Sequence, residues 1–359
     1  MPFKLEKLFK DVFAPGKGDI VTILHDLPHG KLTDHKEWQE RREMALEWHK
    51  EMASFANTYG ITVKPLISYE ATGSQNADIP EYGQSTDGKI RIEDAAAAST
   101  IVICMPQYSA TAPLMGFAKK YPKLRVASMP MVKRSMQETA LSADYSKIAR
   151  ICAKLAPFFK QAQGIEVKFS TGHTCYFDTS NHNAVLEDNG ILHPVEGGPL
   201  MRLRNLPSGE VAICPNENED SRTNGEIPVV YDKEVAVFVL KNNQIIDVKG
   251  ETQTAKAMKQ KFADEKALRN IAEVAIGCND KAVVTGNVLE DEKAGFHWAY
   301  GRSEHLGGKT DIKAFSSLDK VCHQDIVYAI GSPVLCAQFD FILPDNKRMT
   351  AIKDGKLII

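Results

Sequence analysis

The 359-residue sequence lacks several features that would point directly to a function. No uninterrupted apolar run approaches the roughly 18–20 residues that a membrane-spanning helix needs, so no membrane association is expected. Lys and Arg number 44 against 46 Asp and Glu, which leaves a formal net charge of −2. This balance gives no global electrostatic reason to bind nucleic acid.

Cysteine is scarce, and its spacing excludes the usual cysteine-rich sites. The seven cysteines lie far apart without a C-x-x-C pair, so neither a disulfide framework nor a zinc ribbon is expected. They are typical of buried thiols in a reducing compartment. The first residues, MPFKLEKLFKDVF, carry dispersed charges rather than a basic start and an apolar block, which argues against a secretory signal. We therefore expect a cytoplasmic protein.

Two sequence patterns meet near residue 164. Before it, strand-like and helical runs alternate, which predicts an α/β N-terminal domain with a mostly parallel sheet over residues 1–164. After it, short alternating runs predict a β-rich α+β C-terminal domain over residues 165–359, interrupted by one helix at 252–273. The N-terminal runs are strands at 19–26, 61–69, 99–105 and 124–130, and helices at 34–59 and 145–163.

The N-terminal half contains no nucleotide-binding or hydrolase motif. No G-x-G-x-x-G follows a strand, and the P-loop, G-x-S-x-G and H-E-x-x-H patterns are missing from the whole chain. This favours a structural or substrate-covering role for that half, so we expect the catalytic residues in the C-terminal half.

Candidate metal ligands occur at strand-like positions there. His323 and Asp325 are two residues apart at the head of an apolar run, so on a strand both side chains share one face. His297 alternates with Phe296 and Trp298, which places the histidine on a face of small residues. Imidazole and carboxylate suit zinc, cobalt, manganese or iron. Both patterns also occur at ordinary strand ends and in protein cores, so spacing alone leaves both interpretations open.

Two glutamates complete the candidate set. Glu273 ends the predicted helix among apolar neighbours, where a carboxylate is costly unless it is paired or binds a metal. It could equally turn to solvent at the helix end. Glu210 follows a turn and begins a strand. Together these five residues are enough to hold two divalent cations with open positions for water.

Four segments resemble, in order, the metal-site segments of the M29 thermophilic-type metallo-aminopeptidases. They are LPSGEVAICP, IAEVAIGCN, GNVLEDEKAGFHWAYGRSEHLGGK and HQD. The resemblance covers residues 165–330 well and the N-terminal half only in general terms.

The resemblance implies a two-ion site and a peptidase activity. It implies that Glu210, Glu273, His297, His323 and Asp325 bind two ions such as zinc, cobalt or magnesium. It also implies removal of N-terminal residues from peptides, with a peptide or small amide as the substrate, a two-domain fold and a homodimer.

The sequence departs from the family at one position. The family has a tyrosine after the His and Gly, whereas this chain has Tyr300 before Gly301, where it points away from the face of His297. Glu304 and His305 are therefore the candidate acid–base residues. The departure keeps two alternatives open: a dihydroxypyridine dioxygenase-type enzyme with one iron, and a non-catalytic protein that retains the fold.

Overall fold

The computed structural model describes residues 3–180, 182, 184–194, 198, 201–231, 233–317 and 320–359. The chain divides into two compact units. The first comprises Met1–Ala149, Asp188–Ser208 and Asp280–Ala282, and the second comprises Arg150–Glu187, Gly209–Asn279 and Val283–Ile359. The domain boundary near residue 164 rests on sequence pattern and stays a prediction.

The elements are numbered in chain order. The α-helices are α1 (Leu5–Phe13), α2 (Lys36–Tyr59), α3 (Ile92–Ala97), α4 (Thr111–Lys120), α5 (Tyr145–Gln161), α6 (Gln253–Asp264) and α7 (Val288–Asp291). The strands are β1 (Ile20–Leu27), β2 (Thr62–Val63), β3 (Ile67–Glu70), β4 (Tyr82–Ser85), β5 (Gly88–Arg91), β6 (Ile101–Cys104), β7 (Arg125–Ser128), β8 (Gly164–Phe169), β9 (Thr174–Asp178), β10 (Val185–Asp188), β11 (Leu203–Asn205), β12 (Glu210–Ile213), β13 (Asn224–Tyr231), β14 (Glu234–Lys241), β15 (Gln244–Lys249), β16 (Ile271–Gly277), β17 (Phe296–Gly301), β18 (His323–Val327), β19 (Cys336–Ile342), β20 (Arg348–Lys353) and β21 (Lys356–Leu357).

The first unit contains the predicted parallel sheet. Its strand order is β11-β7-β6-β1-β3-β4-β5, with parallel pairing from β11 to β3 and antiparallel pairing at β4 and β5. Helix α2 ends at Tyr59, and the next residue, Gly60, has a φ of 65°, the left-handed conformation that glycine adopts without strain. The helix predicted at 34–59 is thus confirmed to within two residues.

The second unit contains antiparallel sheets. One has the order β15-β14-β13-β9-β8-β19-β20-β21, and the other has the order β10-β12-β16-β17-β18. The mixed α/β class, with a partly parallel sheet and antiparallel sheets, is therefore confirmed. Among the described residues, no helix is both long enough and apolar enough to cross a membrane.

The helix predicted at 252–273 is wrong in its second half. Helix α6 ends at Asp264, a 3-10 turn follows, and Ile271–Gly277 is the fully buried strand β16. Glu273 therefore lies inside a strand and not at a helix end. The Ala-, Lys- and Glu-rich sequence before residue 270 favours helix, whereas the run IAEVAIG includes β-branched residues that suit a buried strand.

Candidate metal centre

One face of the sheet β12-β16-β17-β18 carries all five predicted ligands. Glu273 lies opposite Ala299 in the register, and Ala299 in turn lies opposite Asp325. His297 lies opposite Ala275. Because side chains alternate along a strand, these positions share a face on which alanines separate the polar groups.

The opposite face of the same strands is an aromatic core. Phe296, Trp298 and Tyr300 of β17 alternate with His297 and pack against further aromatic rings. Burial of each such ring contributes roughly 1.5–3 kcal/mol, so this core fixes the position of the strands. The Tyr300 hydroxyl lies 3.4 Å from that of Tyr231, and Tyr300 points away from His297 as predicted.

The five residues form two groups of potential ligand atoms that share Glu273. Glu210, Glu273 and His297 form the first, and Glu273, His323 and Asp325 form the second, with the atoms of each group within 4.8 Å of one another. Glu273 Oε1 lies 3.7 Å from His297 Nε2, whereas Glu273 Oε2 lies 2.9 Å from His323 Nε2. One carboxylate therefore directs one oxygen towards each group.

Both histidines are held in the orientation that a metal ligand needs. His297 donates Nδ1–H to the carbonyl oxygen of Gly295 at 3.2 Å, and His323 donates Nδ1–H to that of Arg302 at 2.6 Å. Each ring thus presents Nε2 to the carboxylates. A backbone acceptor at the remote nitrogen is the usual arrangement around metal-bound histidine.

A buried lysine that the sequence did not single out completes the site. The Lys293 side chain is fully buried, and its Nζ lies 2.7 Å from Glu210 Oε1 and 2.7 Å from Glu292 Oε1. Its backbone passes directly over Gly277, where any Cβ would collide with Glu292 and Lys293. In sequence, EDEK looks like an exposed charge cluster. The apolar strand β17, which follows this segment, is the one sequence feature that indicates the burial of Lys293.

The charges of the site perturb several pKa values. Burial alone would raise the pKa of Glu273, but hydrogen bonds from His297 and His323 hold it well below its usual value. Burial would lower the pKa of each histidine, yet the neighbouring carboxylates raise both well above the usual value. Burial, with the charges of Glu210 and Asp325, raises the pKa of Glu292 to about 8 despite the opposing Lys293 charge.

Of the two predicted acid–base residues, His305 lies beside His323. The ring of His305 is 4.7 Å from that of His323, and its side chain is partly exposed. Glu304 accepts hydrogen bonds from Arg302. Although burial raises the pKa of Glu304, hydrogen bonds from His305 and Arg302 lower it to about 2. Glu304 is thus held as a carboxylate, which leaves His305 as the better placed proton carrier.

The donor set fits divalent cations. In the metal-free site, the Lys293 ammonium and the protonated rings of His297 and His323 offset the carboxylates, and bound divalent cations would take the place of the two ring protons. Glu210 Oε2 is buried and accepts no hydrogen bond from the described residues, although His297 Nε2 lies 3.3 Å away. Nitrogen and oxygen donors of this kind suit zinc, cobalt, manganese or iron.

We expect the metal-free protein to lose stability as the pH rises from about 5 to 8. The folded pKa values of His297 and His323 lie above the unfolded value, so their contribution is complete below about 6.5 and is lost as the pH rises through the folded pKa. Glu292 acts in the same direction, because its folded pKa of about 8 exceeds the unfolded value of 4.5. Glu273 has the opposite sign, and its contribution is lost only in acid, as the pH falls through its lowered pKa.

Thermal unfolding of chelator-treated protein across this range measures the effect. Bound zinc should stabilise the protein more at pH 8 than at pH 5, because ligands must lose their protons to bind metal. The assignment of this pH dependence to the site would be contradicted if the unfolding temperature of the metal-free protein rose from pH 5 to 8 and if its slope against pH were the same in His297→Gln.

Two solved structures have this fold over nearly the whole chain. The 2,5-dihydroxypyridine dioxygenase from Pseudomonas putida KT2440 has a TM-score of 0.62 and 16% sequence identity, over 99% of this chain and 94% of that chain. AmpT from Thermus thermophilus has a TM-score of 0.62 and 15% identity, over 99% of each chain. No family model and no curated protein sequence matches the chain. At such low identity, the likeness establishes the fold and leaves the chemistry to the residues of the site.

Proposed function

We propose that the protein is a metal-dependent, aminopeptidase-like hydrolase whose five predicted ligands hold two divalent cations. The observation that carries this proposal is the position of Glu273, whose two oxygens face different histidines. A carboxylate shared by two ligand groups is the arrangement that two-metal hydrolases use. The fold is consistent with the proposal, because AmpT, one of the proteins that share it, is a thermophilic aminopeptidase of the M29 type.

Each side chain has a distinct task in this proposal. Bound divalent cations would make a water molecule acidic enough to supply hydroxide near pH 7 and would polarise the scissile carbonyl. His297 and His323 keep their Nε2 atoms directed inwards through their backbone hydrogen bonds. Lys293 holds Glu210 through Oε1 and leaves Oε2 to face the first group. His305, which is reached by solvent, exchanges the proton that the leaving amine needs.

A second candidate is a ring-cleaving dioxygenase with one iron. The fold is equally consistent with this function, and Tyr300 does not face the site. Such an iron takes two histidines and one carboxylate around one ion. Among the described residues, however, no group of three ligand atoms brings both histidines within 4.8 Å of one another. Each group instead has one histidine and two carboxylates, which favours the hydrolase.

Metal reconstitution tests the two functions side by side. We expect chelator-treated protein to regain hydrolysis of aminoacyl-nitroanilides and dipeptides when zinc, cobalt or manganese is added, because the two carboxylate-rich ligand groups described above suit these ions. We expect no oxygen uptake with ferrous iron and 2,5-dihydroxypyridine. Asp325→Asn removes one ligand from the second group, so this variant should recover less hydrolysis than the unaltered protein when the same metals are added. Oxygen consumption without any metal-dependent hydrolysis would favour the dioxygenase.

A further inference from the structure

A cavity of about 530 Å³ lies in the second unit, at the end of β12. Cys214 is the residue that follows this strand, and it lines the cavity. Ile213 pairs with Val274, so the antiparallel register continued by one residue places Cys214 opposite Glu273. Cys214 therefore links the wall of the cavity to the strand position next to Glu273.

The loop 303–310 forms another wall of this cavity, and Glu217 fixes both ends of the loop. Its carboxylate accepts hydrogen bonds from the Ser303 hydroxyl at 2.7 Å and from the Thr310 hydroxyl at 3.3 Å. It also accepts from the backbone N–H of Lys309 and from the side-chain amide of Asn270. With four donors, the carboxylate of Glu217 is committed to the loop and is not free to bind a ligand cation.

The lining of the cavity is polar. Apart from Cys214, Pro215 and two glycines, it consists of polar side chains. These are Ser180, His182, Asn216, Glu217, Asn218 and Lys309. The Lys309 ammonium donates to the Asn218 side-chain oxygen, and the Lys309 backbone N–H donates to the Glu217 carboxylate. Lys309 and Glu217 carry opposite charges, so the pair adds no net charge to the wall. An aliphatic group placed here would displace water from these polar groups without replacing its hydrogen bonds, whereas an amide or hydroxyl would replace them.

We propose that this cavity receives the side chain of the residue that the enzyme removes, and that it selects amide and hydroxyl side chains over aliphatic ones. The proposal rests on the proposed hydrolase function and adds its substrate class. An apolar substrate side chain would take the place of water at these polar groups without replacing its hydrogen bonds, so a polar wall discriminates against it. The near-neutral wall at Lys309 and Glu217 favours uncharged polar side chains.

A panel of aminoacyl substrates that differ only in the first residue tests the selection. We expect kcat/KM for glutamine, asparagine and serine to exceed that for leucine by about tenfold or more. Lys309→Met and Asn218→Leu make the wall apolar, so each should reduce this ratio several-fold with the metal content unchanged. Lys313→Met is the matched control, because Lys313 is exposed and does not line the cavity.

A binding measurement separates failure of this proposal from failure of the hydrolase function. Calorimetric titration of the metal-loaded protein with free glutamine and free leucine needs no turnover. Tighter binding of glutamine that Lys309→Met weakens supports the cavity as a polar pocket even if no hydrolysis is found. A preference for leucine, or a glutamine preference that both wall variants leave unaltered, overturns the proposal whether or not the protein hydrolyses peptides.

Discussion

Glu273→Gln should impair both ion sites at once. Its two oxygens face different histidines, so an amide at this position removes a charged ligand from each group. We expect the bound metal to fall from two ions per chain to below one, and kcat/KM to fall by roughly 10³-fold or more, because both cations contribute to the reaction. Metal analysis after dialysis and steady-state kinetics measure the two effects.

Asp325→Asn is the matched control for this variant. Asp325 belongs only to the second ligand group, so the group of Glu210, Glu273 and His297 stays complete. This variant should keep about one tightly bound ion. If Glu273→Gln instead retained two ions with unaltered affinity, Glu273 would not be a shared ligand.

Lys293→Met should strongly destabilise the metal-free protein. The ammonium lies 2.7 Å from both Glu210 and Glu292, and its side chain is fully buried. Its removal leaves two buried carboxyl groups without their common cation, which typically costs about 3–5 kcal/mol of unfolding free energy. Urea unfolding of chelator-treated protein, with a check that the m-value is unchanged, measures the loss.

Two further variants identify the cause of that loss. Lys293→Met combined with Glu292→Gln should recover part of the stability above about pH 8, where Glu292 is ionised in the native protein, because the amide removes one of the two stranded charges. Lys259→Met removes an exposed lysine that pairs with Asp247 and should change the unfolding free energy by about 0–1 kcal/mol. Equal effects of the buried and the exposed substitution would show that Lys293 does not stabilise the carboxylate cluster.

The sequence predicted those site residues that lie on regularly alternating strands. His297 shares a face with Ala299, and His323 shares a face with Asp325, as the period of two requires. Glu210 begins β12 after a turn, as predicted. These predictions depend only on the alternation of side chains along a strand, which can be read from neighbouring residues in one sequence.

The remaining features depend on contacts between distant segments. Glu273 was assigned to a helix, because the helix-favouring residues before it conceal the start of the buried strand β16. Lys293 and Glu292 look exposed in a charged segment, and only the packing of that segment over Gly277 buries them. The hydrogen bonds that Glu217 accepts from the loop 303–310 join residues about 90 positions apart. No local pattern specifies such pairs.

Counting and locating the bound ions is the most direct test of the central claim. A crystal structure of zinc- or cobalt-loaded protein, with anomalous data at the metal edge and metal analysis of the same sample, gives both the number and the ligands. We expect two ions on one sheet face, both in contact with Glu273, with His297 on one and His323 on the other. A single ion bound by both histidines and one carboxylate, or no ion within reach of Glu273, would contradict it.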